Sequence, residues 1–458
     1  MRLYNTLTKQ VEDIVPADKS ELKLFVCGPT VYDYSHIGHA KTYTQFDVLV
    51  RSLRALGQPV FYLQNITDID DKIIDRARQA GTGWQELSRQ FESVYKHDMS
   101  ALGNTSVTKY ARATDHIEDI SKQVQTLLDK DHAYVIDGDG VYFEVSTFPD
   151  YGQLAGRTKV KKDDSQSRID DSPDKRGWND FALWKFSKPD EPSWEAPFGA
   201  GRPGWHIEDT AITQHFFGPQ YDMHGGAVDL IFPHHEAEIT QMEAISGLKP
   251  FVRHWVHTGF LNINKAKMAK SAGNWLTIAD TLKKIGDPAA LRMLFLQSHY
   301  RSPVNFDWDQ LEAAKVRVGR WRNLAQLRWQ AFDYDSEDEL ELIIRAMADI
   351  RAALSDDLNT PRVLEVVAGV LDALEPSGLS SGSAAQFSDL MTLLDDTLGL
   401  KLLESTPDIT PAQKQLIAQR ESARARQDFS SADELRSQLK PAGLELRDTP
   451  HGAVWLSV

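Results

Sequence analysis

The chain has 458 residues, of which 41% are hydrophobic, so we expect two to four domains with real hydrophobic cores. A formal net charge of −15 argues against indiscriminate binding of nucleic acid, because sequence-independent affinity comes from neutralising phosphates. The single cysteine excludes an intrachain disulfide. The sequence shows neither a leader peptide nor an apolar run long enough to span a bilayer, which predicts a cytoplasmic protein without a membrane partner.

Residues 23–67 carry the pattern of a strand, a loop, a helix and a second strand, which is a βαβ unit. In such units, ligands bind at the carboxyl ends of the strands. His36 and His39 fall on the turn that opens the predicted helix, where unpaired N–H groups and the helix dipole favour an anion. Gly38 allows that anion to approach the backbone. The alternative for this histidine pair is capping or packing of the helix.

The next part of the sequence predicts a mainly helical stretch to about residue 130 and then, up to residue 200, a hairpin with the turn signal DGDG and a polar loop. This second stretch interrupts the α/β fold that the βαβ unit begins. Asp68, Asp70 and Asp71 form an acidic run that suits a divalent metal ion. The alternative is that Asp68 and Asp71 cap or orient a helix beginning near Lys72.

The stretch after residue 200 supplies residue types that bind zinc. His234 and Glu238 stand four residues apart, so a helix places both on one face. Cys27 lies at the end of the first predicted strand, and a buried apolar thiol is the alternative for it. We expect His235 and Glu236 to point away from the metal face. The sequence can therefore bring together four potential zinc ligands, which are Cys27, Asp209, His234 and Glu238.

Two further stretches are rich in positive charge. Lys265, Lys267 and Lys270 cluster among small residues, which suits a mobile loop that closes over a polyphosphate, and a solvated face is the alternative. Beyond residue 300 the composition turns helical, and KVRVGRWRNLAQLRWQ interleaves basic and aromatic residues. Such a helix suits an RNA backbone, and helix packing with snorkelling arginines is the alternative. A capping box at Ser431 and Glu434 predicts a helix before a terminal hairpin.

The motif SHIGHA followed by KMAKS is similar to the signature pair of class I aminoacyl-tRNA synthetases. The surrounding text resembles the cysteinyl-tRNA synthetase family, in the segments FVCGPTVYDYSHIGHA, NITDIDDKII, FALWKFSKPDEPSWEAPFGAGRPGWHIE, DMHGGAVDLIFPHHEAEITQ and HYRSPVNF. These segments cover most of the first 310 residues. The C-terminal third follows the family plan more loosely.

The resemblance implies an α/β fold. It predicts a Rossmann-like nucleotide-binding domain split by a connective insertion, then a helical bundle and a small C-terminal α+β module similar to the family's anticodon-reading domain. We expect the catalytic domain in two halves with the insertion between them, followed by the bundle and the module, at residues 1–130, 131–200, 201–300, 301–404 and 411–458.

The resemblance also implies one zinc ion per chain, held by Cys27, Asp209, His234 and Glu238, that binds the thiolate of a substrate cysteine. The family usually has a cysteine where this chain has Asp209. Asp still reaches a metal at about 2.0 to 2.2 Å, and the ligand charge is unchanged. The harder oxygen should leave zinc less selective by softness and easier to lose. The alternatives are that Asp209 supports a site made by the other three residues, or that no metal binds.

Other roles follow from the same resemblance. Thr67 and Trp205 are expected to be walls of the amino-acid pocket, although Trp205 suits a core aromatic equally well. The catalytic residues would be His36, His39, Lys267 and Lys270. The residues that bind ATP, together with Mg²⁺, would be Gly38, His224, Gly225, Asp229 and Lys270.

The activity implied is ATP-dependent ligation of L-cysteine to tRNA(Cys) by a monomer. One alternative is a ligase that adenylates cysteine and passes it to a small amine, which would not need the C-terminal module. Another is a catalytically altered paralogue with changed amino-acid or tRNA specificity, for which Asp209 is the feature in favour.

Overall fold

The computed structural model describes residues 1–18, 20–156, 172–263, 266–268 and 274–457, with the backbone alone at 266–267. The chain divides into two compact units. The first comprises Met1–Thr281 and Arg301–Asn305, and the second comprises Leu282–Tyr300 and Phe306–Val458.

The first unit alternates strands and helices. Its strands are β1 (Arg2–Asn5), β2 (Gln10–Asp13), β3 (Leu22–Val26), β4 (Val60–Ile66), β5 (Lys109–Arg112), β6 (Ala133–Ile136), β7 (Gly140–Phe143), β8 (Phe181–Phe186), β9 (Gly201–Pro203), β10 (Tyr221–Ala227), β11 (Val252–Thr258), β12 (Leu261–Ile263) and β13 (Ala266–Lys267). Its helices are α1 (Ile37–Ala55), α2 (Asp71–Ala80), α3 (Trp84–Ala101), α4 (Ile117–Asp129), α5 (Trp205–Phe217) and α6 (Glu236–Ser246). Helix α7 (Ile278–Ile285) follows at its end.

A five-stranded parallel sheet forms the centre of the first unit. Its strand order is β11-β10-β3-β4-β5, and every neighbouring pair is parallel. The order changes direction at β3, which pairs with β10 on one side and β4 on the other. In open sheets of this kind, ligands bind beyond the carboxyl ends of the strands at such a switch point. The βαβ unit predicted over residues 23–67 is therefore confirmed as β3, α1 and β4.

Helix α1 is buried along most of its length, although it carries several polar residues. Two of them have specific partners that make this burial possible, since buried polar groups must be hydrogen-bonded. Lys41 Nζ donates to the carbonyl of Gly259 at 2.7 Å. Asp47 Oδ1 accepts the N–H groups of Thr105 and Ser106, each at 3.0 Å. The Lys41 contact holds the start of α1 beside the carboxyl end of β11, and the Asp47 contacts tie the middle of α1 to the segment before β5.

The predicted hairpin in the stretch after residue 130 is confirmed as β6 and β7, which pair antiparallel within the sheet β6-β7-β8-β9. The described acidic run has protein partners instead of a metal geometry. Asp70 N-caps α2, and Asp68 accepts the backbone N–H of Thr114 at 3.0 Å. Asp71 accepts from Lys185 at 3.1 Å and also pairs with Arg202. Of the alternative that Asp68 and Asp71 cap or orient this helix, capping was wrong, because Asp70 is the N-cap and the other two bond to distant segments.

The second unit is mainly helical. Strand β14 (Val304–Phe306) precedes most of it. Its elements are α8 (Pro288–Leu296), α9 (Trp308–Gln326), α10 (Glu337–Ser355), α11 (Thr360–Ser377), α12 (Ala384–Leu398), α13 (Pro411–Ala425), α14 (Phe429–Leu439), β15 (Leu444–Thr449) and β16 (Gly452–Ser457). The last two strands pair antiparallel, as the predicted terminal hairpin requires. Within the described ranges, no helix is both long enough and apolar enough to cross a membrane.

Two predictions in the second unit meet different local structure. Helix α14 begins at Phe429 with Asp428 as its N-cap, so the capping box expected at Ser431 is wrong. The capping box lies instead at the start of α13, between Thr410 and Gln413. On the basic helix α9, Arg320 bonds to acidic residues of α11, and Trp321 is buried, which favours the packing alternative over a free RNA-binding face.

Candidate active site

A cavity of about 240 Å³ opens where the carboxyl end of β3 meets the start of α1. The structure brings six of the predicted site residues to its wall, which are Cys27, His36, Gly38, His39, Trp205 and Asp229. Met268 also lines it, next to the predicted lysine loop. The Lys267 side chain and the whole of Lys270 lie outside the described residues.

The histidine pair forms the entrance to α1. His36 is the N-cap residue, and its Nδ1 accepts the N–H of His39 at 3.2 Å. The two rings stack with centroids 3.8 Å apart. A side chain at Gly38 would begin 2.8 Å from the His36 ring, so the stacking of the two rings requires glycine here. Capping, the alternative proposed for the pair, thus occurs alongside exposure to the cavity.

The protonation state of His39 decides what it can offer an anion. Burial lowers its pKa to about 4, although the negative charge of Asp229 acts in the opposite direction. At neutral pH the ring is therefore uncharged and can contribute a hydrogen bond, whereas positive charge must come from other groups.

The four predicted zinc ligands converge around Cys27, the one of them that lines the cavity. Their potential ligand atoms all lie within 4.8 Å of one another, and all four residues are buried. His234 Nε2 lies 3.0 Å from Asp209 Oδ2 and 3.2 Å from Glu238 Oε1. Cys27 Sγ lies 3.3 Å from Asp209 Oδ2 and 3.9 Å from Glu238 Oε1. Bonds of about 2.0 to 2.3 Å from one tetrahedral zinc would separate the ligand atoms by about 3.3 to 3.6 Å, so the arrangement fits that ion.

The local backbone differs from the simple helix predicted for this pair. Helix α6 begins at Glu236, and His234 precedes it in a π-helical turn, Ile231–His235. Phe232 interrupts that turn with extended dihedral angles. This irregular turn brings His235 Nε2 to 3.1 Å from Cys27 Sγ, so the expectation that His235 points away was wrong.

A second group of potential ligands therefore shares two residues with the first. It consists of Cys27, His224, His235 and Glu238. His224 was predicted to bind ATP, but its ring is buried with Nε2 3.4 Å from Cys27 Sγ, and it is not among the residues that line the cavity.

Each of the three imidazoles around Cys27 is fixed by a contact on its other nitrogen. His234 Nδ1 lies 2.8 Å from His206 Nδ1, and His235 Nδ1 lies 2.8 Å from His257 Nε2. His224 Nδ1 lies 2.6 Å from the hydroxyl oxygen of Tyr221. Such partners set the orientation of a histidine so that Nε2 faces a metal. Neither His206 nor His257 was predicted from the sequence, although His257 falls at the carboxyl end of β11, at the same edge of the sheet.

The cluster around Cys27 holds several acidic groups, and no cationic side chain of the described residues pairs with them. Burial raises the pKa of the Cys27 thiol, and the charges of Asp209 and Glu238 raise it further. Burial followed by the charge of Asp209 likewise raises the pKa of Glu238. Asp209 Oδ1 and Glu238 Oε2 have no hydrogen-bond partner among the described residues. Buried anions need a compensating charge, which a divalent ion would supply.

The two residues predicted to be walls of the amino-acid pocket are placed differently, because Trp205 lines the cavity and Thr67 does not. Trp205 stacks on His234 with centroids 4.2 Å apart and stays 41% exposed, so it is not a core residue. Thr67 is buried, and its hydroxyl donates to Glu208 Oε1 at 3.0 Å. The amide of Asn65 donates to the same hydroxyl at 3.3 Å. Thr67 thus belongs to a buried hydrogen-bond network and is not among the residues that line the cavity.

The segment predicted to hold adenosine has mixed placement. Asp229 lies in the cavity wall, in a short 3-10 helix, Val228–Leu230. A side chain added at Gly225 would begin 2.3 Å from Phe46 Cε1, so packing against α1 requires this glycine. The close approach that the sequence assigned to a ligand is thus made by a protein side chain.

Comparison with known proteins agrees with this architecture. The family described as tRNA synthetases class I (C) catalytic domain matches residues 13–316. LeuRS of Agrobacterium radiobacter K84 has a similar structure over 87% of this chain and 86% of its own, with a TM-score of 0.63 and 11% identity. Methionyl-tRNA synthetase of Mycobacterium tuberculosis aligns over 90% of this chain and 96% of its own, with a TM-score of 0.59 and 15% identity. Fold and site therefore define a class I aminoacyl-tRNA synthetase.

The sequence relatives identify the family more narrowly. The chain is 41% identical to the cysteine–tRNA ligase of Trichlorobacter lovleyi over 99% of both sequences. It is also 41% identical to that of Thermoplasma acidophilum over 99% of this chain and all of the relative. A family described as Cysteinyl-tRNA ligase anticodon binding domain matches residues 406–455. The chain belongs to the cysteinyl-tRNA synthetase family, and it is thus a ligase.

Proposed function

We propose that this protein is an ATP-dependent ligase that activates L-cysteine as cysteinyl-adenylate and transfers it to the 3′ end of tRNA(Cys). The observation that carries the proposal is the buried cluster of Cys27, Asp209, His234 and Glu238, which reaches through Cys27 the same cavity that the histidine pair lines. The match to an anticodon-binding domain at residues 406–455 favours tRNA over a small amine as acceptor.

Activation needs positioning more than side-chain chemistry. The carboxylate of the amino acid attacks the α-phosphorus of ATP in line, and pyrophosphate departs. His36 and His39 would contact the phosphates, with His39 as a neutral hydrogen-bonding group because of its lowered pKa. Lys267 and Lys270 would supply positive charge from the other side, alongside Mg²⁺. In the second step, the terminal ribose hydroxyl of the tRNA attacks the adenylate.

Selection of cysteine would depend on zinc held by Cys27, Asp209, His234 and Glu238. When bound, zinc supplies a Lewis acid that binds the substrate thiolate far better than a serine hydroxyl. Trp205 stacks on His234 and stays exposed to the cavity, so it would place the substrate above this cluster. The hydrogen bonds among Asn65, Thr67 and Glu208 would hold Glu208, the neighbour of Asp209 on α5, in place.

The test is amino-acid-dependent exchange of pyrophosphate into ATP without tRNA, on protein whose zinc content is measured in parallel. We expect cysteine-dependent exchange with about one catalytic zinc per chain, as a single tetrahedral site provides. Serine serves as the matched substrate control because it differs only in the atom that meets the metal. Exchange with another amino acid, or none with cysteine, would contradict the proposal.

A further inference from the structure

Three side chains with metal-binding chemistry meet on the surface of the first unit. Two of them are neighbours in sequence, and the third comes from a distant helix. His116 ends a short 3-10 helix, Ala113–His116, and Asp119 lies in the first turn of α4. His215 lies in the last turn of α5. Both imidazoles present Nδ1 to the same carboxylate oxygen, Asp119 Oδ2, at 3.2 Å from His116 and 3.0 Å from His215.

These distances are close to those between ligands of one metal ion. The three potential ligand atoms lie within 4.8 Å of one another. Bonds of about 2.0 to 2.2 Å to a tetrahedral zinc place neighbouring ligand atoms about 3.3 to 3.6 Å apart. The two observed separations therefore differ from this range by only a few tenths of an ångström, which side-chain rotation can accommodate.

The surroundings hold the rings in place while leaving one side open. His116 is 8% exposed and packs edge-on against His215 and Phe216, with centroids 4.8 and 5.7 Å away. The side chains of Asp119 and His215 are 33% and 50% exposed. An ion could enter from solvent and keep a water molecule as its fourth ligand, as open sites with three protein ligands do.

We propose that His116, Asp119 and His215 form a separate binding site for a divalent transition-metal ion. Two imidazoles and one carboxylate favour zinc, nickel, cobalt or copper over magnesium or calcium, which prefer oxygen ligands. This assignment is independent of the function proposed above, because it shares no residue with the cluster around Cys27.

A bound ion would tie the beginning of α4 to the end of α5. Helix α5 also carries Trp205 and Asp209, which are in its first turns. Because an ion that binds only the folded state stabilises that state, added zinc should raise the melting temperature of the full chain through this site.

The experiment counts zinc bound by the full chain after equilibrium dialysis against a zinc buffer. We expect His215→Gln and Asp119→Asn to bind one zinc fewer per chain than the unsubstituted protein, and to gain less thermal stability from added zinc. His97→Gln is the matched control, because His97 is an exposed histidine elsewhere in the same unit. It should retain the full count.

Cobalt separates the two sites, because only a site that contains Cys27 gives a thiolate-to-cobalt charge-transfer band. We expect His215→Gln to keep this band while losing one cobalt ion per chain. If the unsubstituted protein shows no such band, that result counts only against the metal site around Cys27. Equal metal content in His215→Gln, Asp119→Asn and the unsubstituted protein would overturn the present proposal and leave the three residues as a hydrogen-bonded contact.

Discussion

Replacing Asp209 by Asn tests the residue at which this chain departs from its family. The substitution preserves shape but exchanges an anionic oxygen for a neutral amide. Asp209 Oδ2 is the atom closest to both His234 Nε2 and Cys27 Sγ within the cluster, at 3.0 and 3.3 Å. With zinc bound, the thiolate and two carboxylates oppose two positive charges, and the variant would retain only two of those three anions.

The expected magnitude follows from this geometry. Loss of a residue that merely orients a ligand weakens metal binding by about 10- to 100-fold. Loss of a ligand should exceed that, so we expect at least about 100-fold weaker zinc binding, or about 2.7 kcal/mol. In protein freed of metal, the effect should have the opposite sign, because the charge of Asp209 raises the pKa values of Cys27 and Glu238 and its removal relieves that repulsion.

Competition with a chromophoric chelator at pH 7 measures the zinc affinity. Thermal melts without and with a chelator measure how the substitution changes stability in the zinc-bound and the metal-free protein. Asp209→Cys should bind zinc at least as tightly as the unsubstituted protein. Glu208→Gln is the control, because Glu208 is a buried neighbour on the same helix that bonds to Thr67 and is outside the cluster. An affinity for Asp209→Asn within twofold of the unsubstituted protein would refute the reasoning and point to the group that includes His224 and His235.

Three further predictions concern stability. Gly225→Ala should lower the free energy of unfolding by about 1 to 3 kcal/mol, because the added side chain would meet Phe46. Gly369→Ala, in a helix where the added side chain has open space, should not lower it. Urea denaturation measures both variants. For Glu92, burial raises the pKa but hydrogen bonds from Arg112 and Lys96 lower it to about 2. Its ionised form therefore stabilises the protein by at most about 3 kcal/mol above pH 4.5, and by less as the pH falls towards 2. The loss of stability in Glu92→Gln should shrink in acid. A loss that stays constant with pH would contradict this. Because the folded pKa of His39 is about 4, below the unfolded value of 6.5, stability should fall as pH drops from 6.5 to 4, and His39→Asn should lose less over that range in the same assay.

Local patterns predicted the parts of the fold that depend on neighbouring residues. The apolar run before Cys27, the helical spacing after His39 and the DGDG turn each correspond to an observed element. The convergence of Cys27 with Asp209, His234 and Glu238 was also predicted, although through the resemblance and not through spacing alone. The roles of these residues stay predictions.

Features that depend on distant partners or irregular backbone were not predictable in this way. One partner of Asp71 is Arg202, 131 residues away, and no local pattern indicates that pair. The position of His235 depends on a π-helical turn interrupted at Phe232, which a regular helical repeat cannot represent. Gly225 was assigned to a ligand because a glycine does not reveal whether substrate or protein will occupy the space beside it.

The sequence separation within the zinc cluster has a consequence for how the chain can vary. Cys27 and Asp209 are 182 residues apart, so an ion between them would close a very long loop that contains the whole inserted sheet. The entropy of closing such a loop grows only with the logarithm of its length, and doubling it would cost only about 0.6 kcal/mol. The insertion can therefore lengthen or shorten with little effect on the affinity of the site, whereas a single atom exchanged at Asp209 changes it directly.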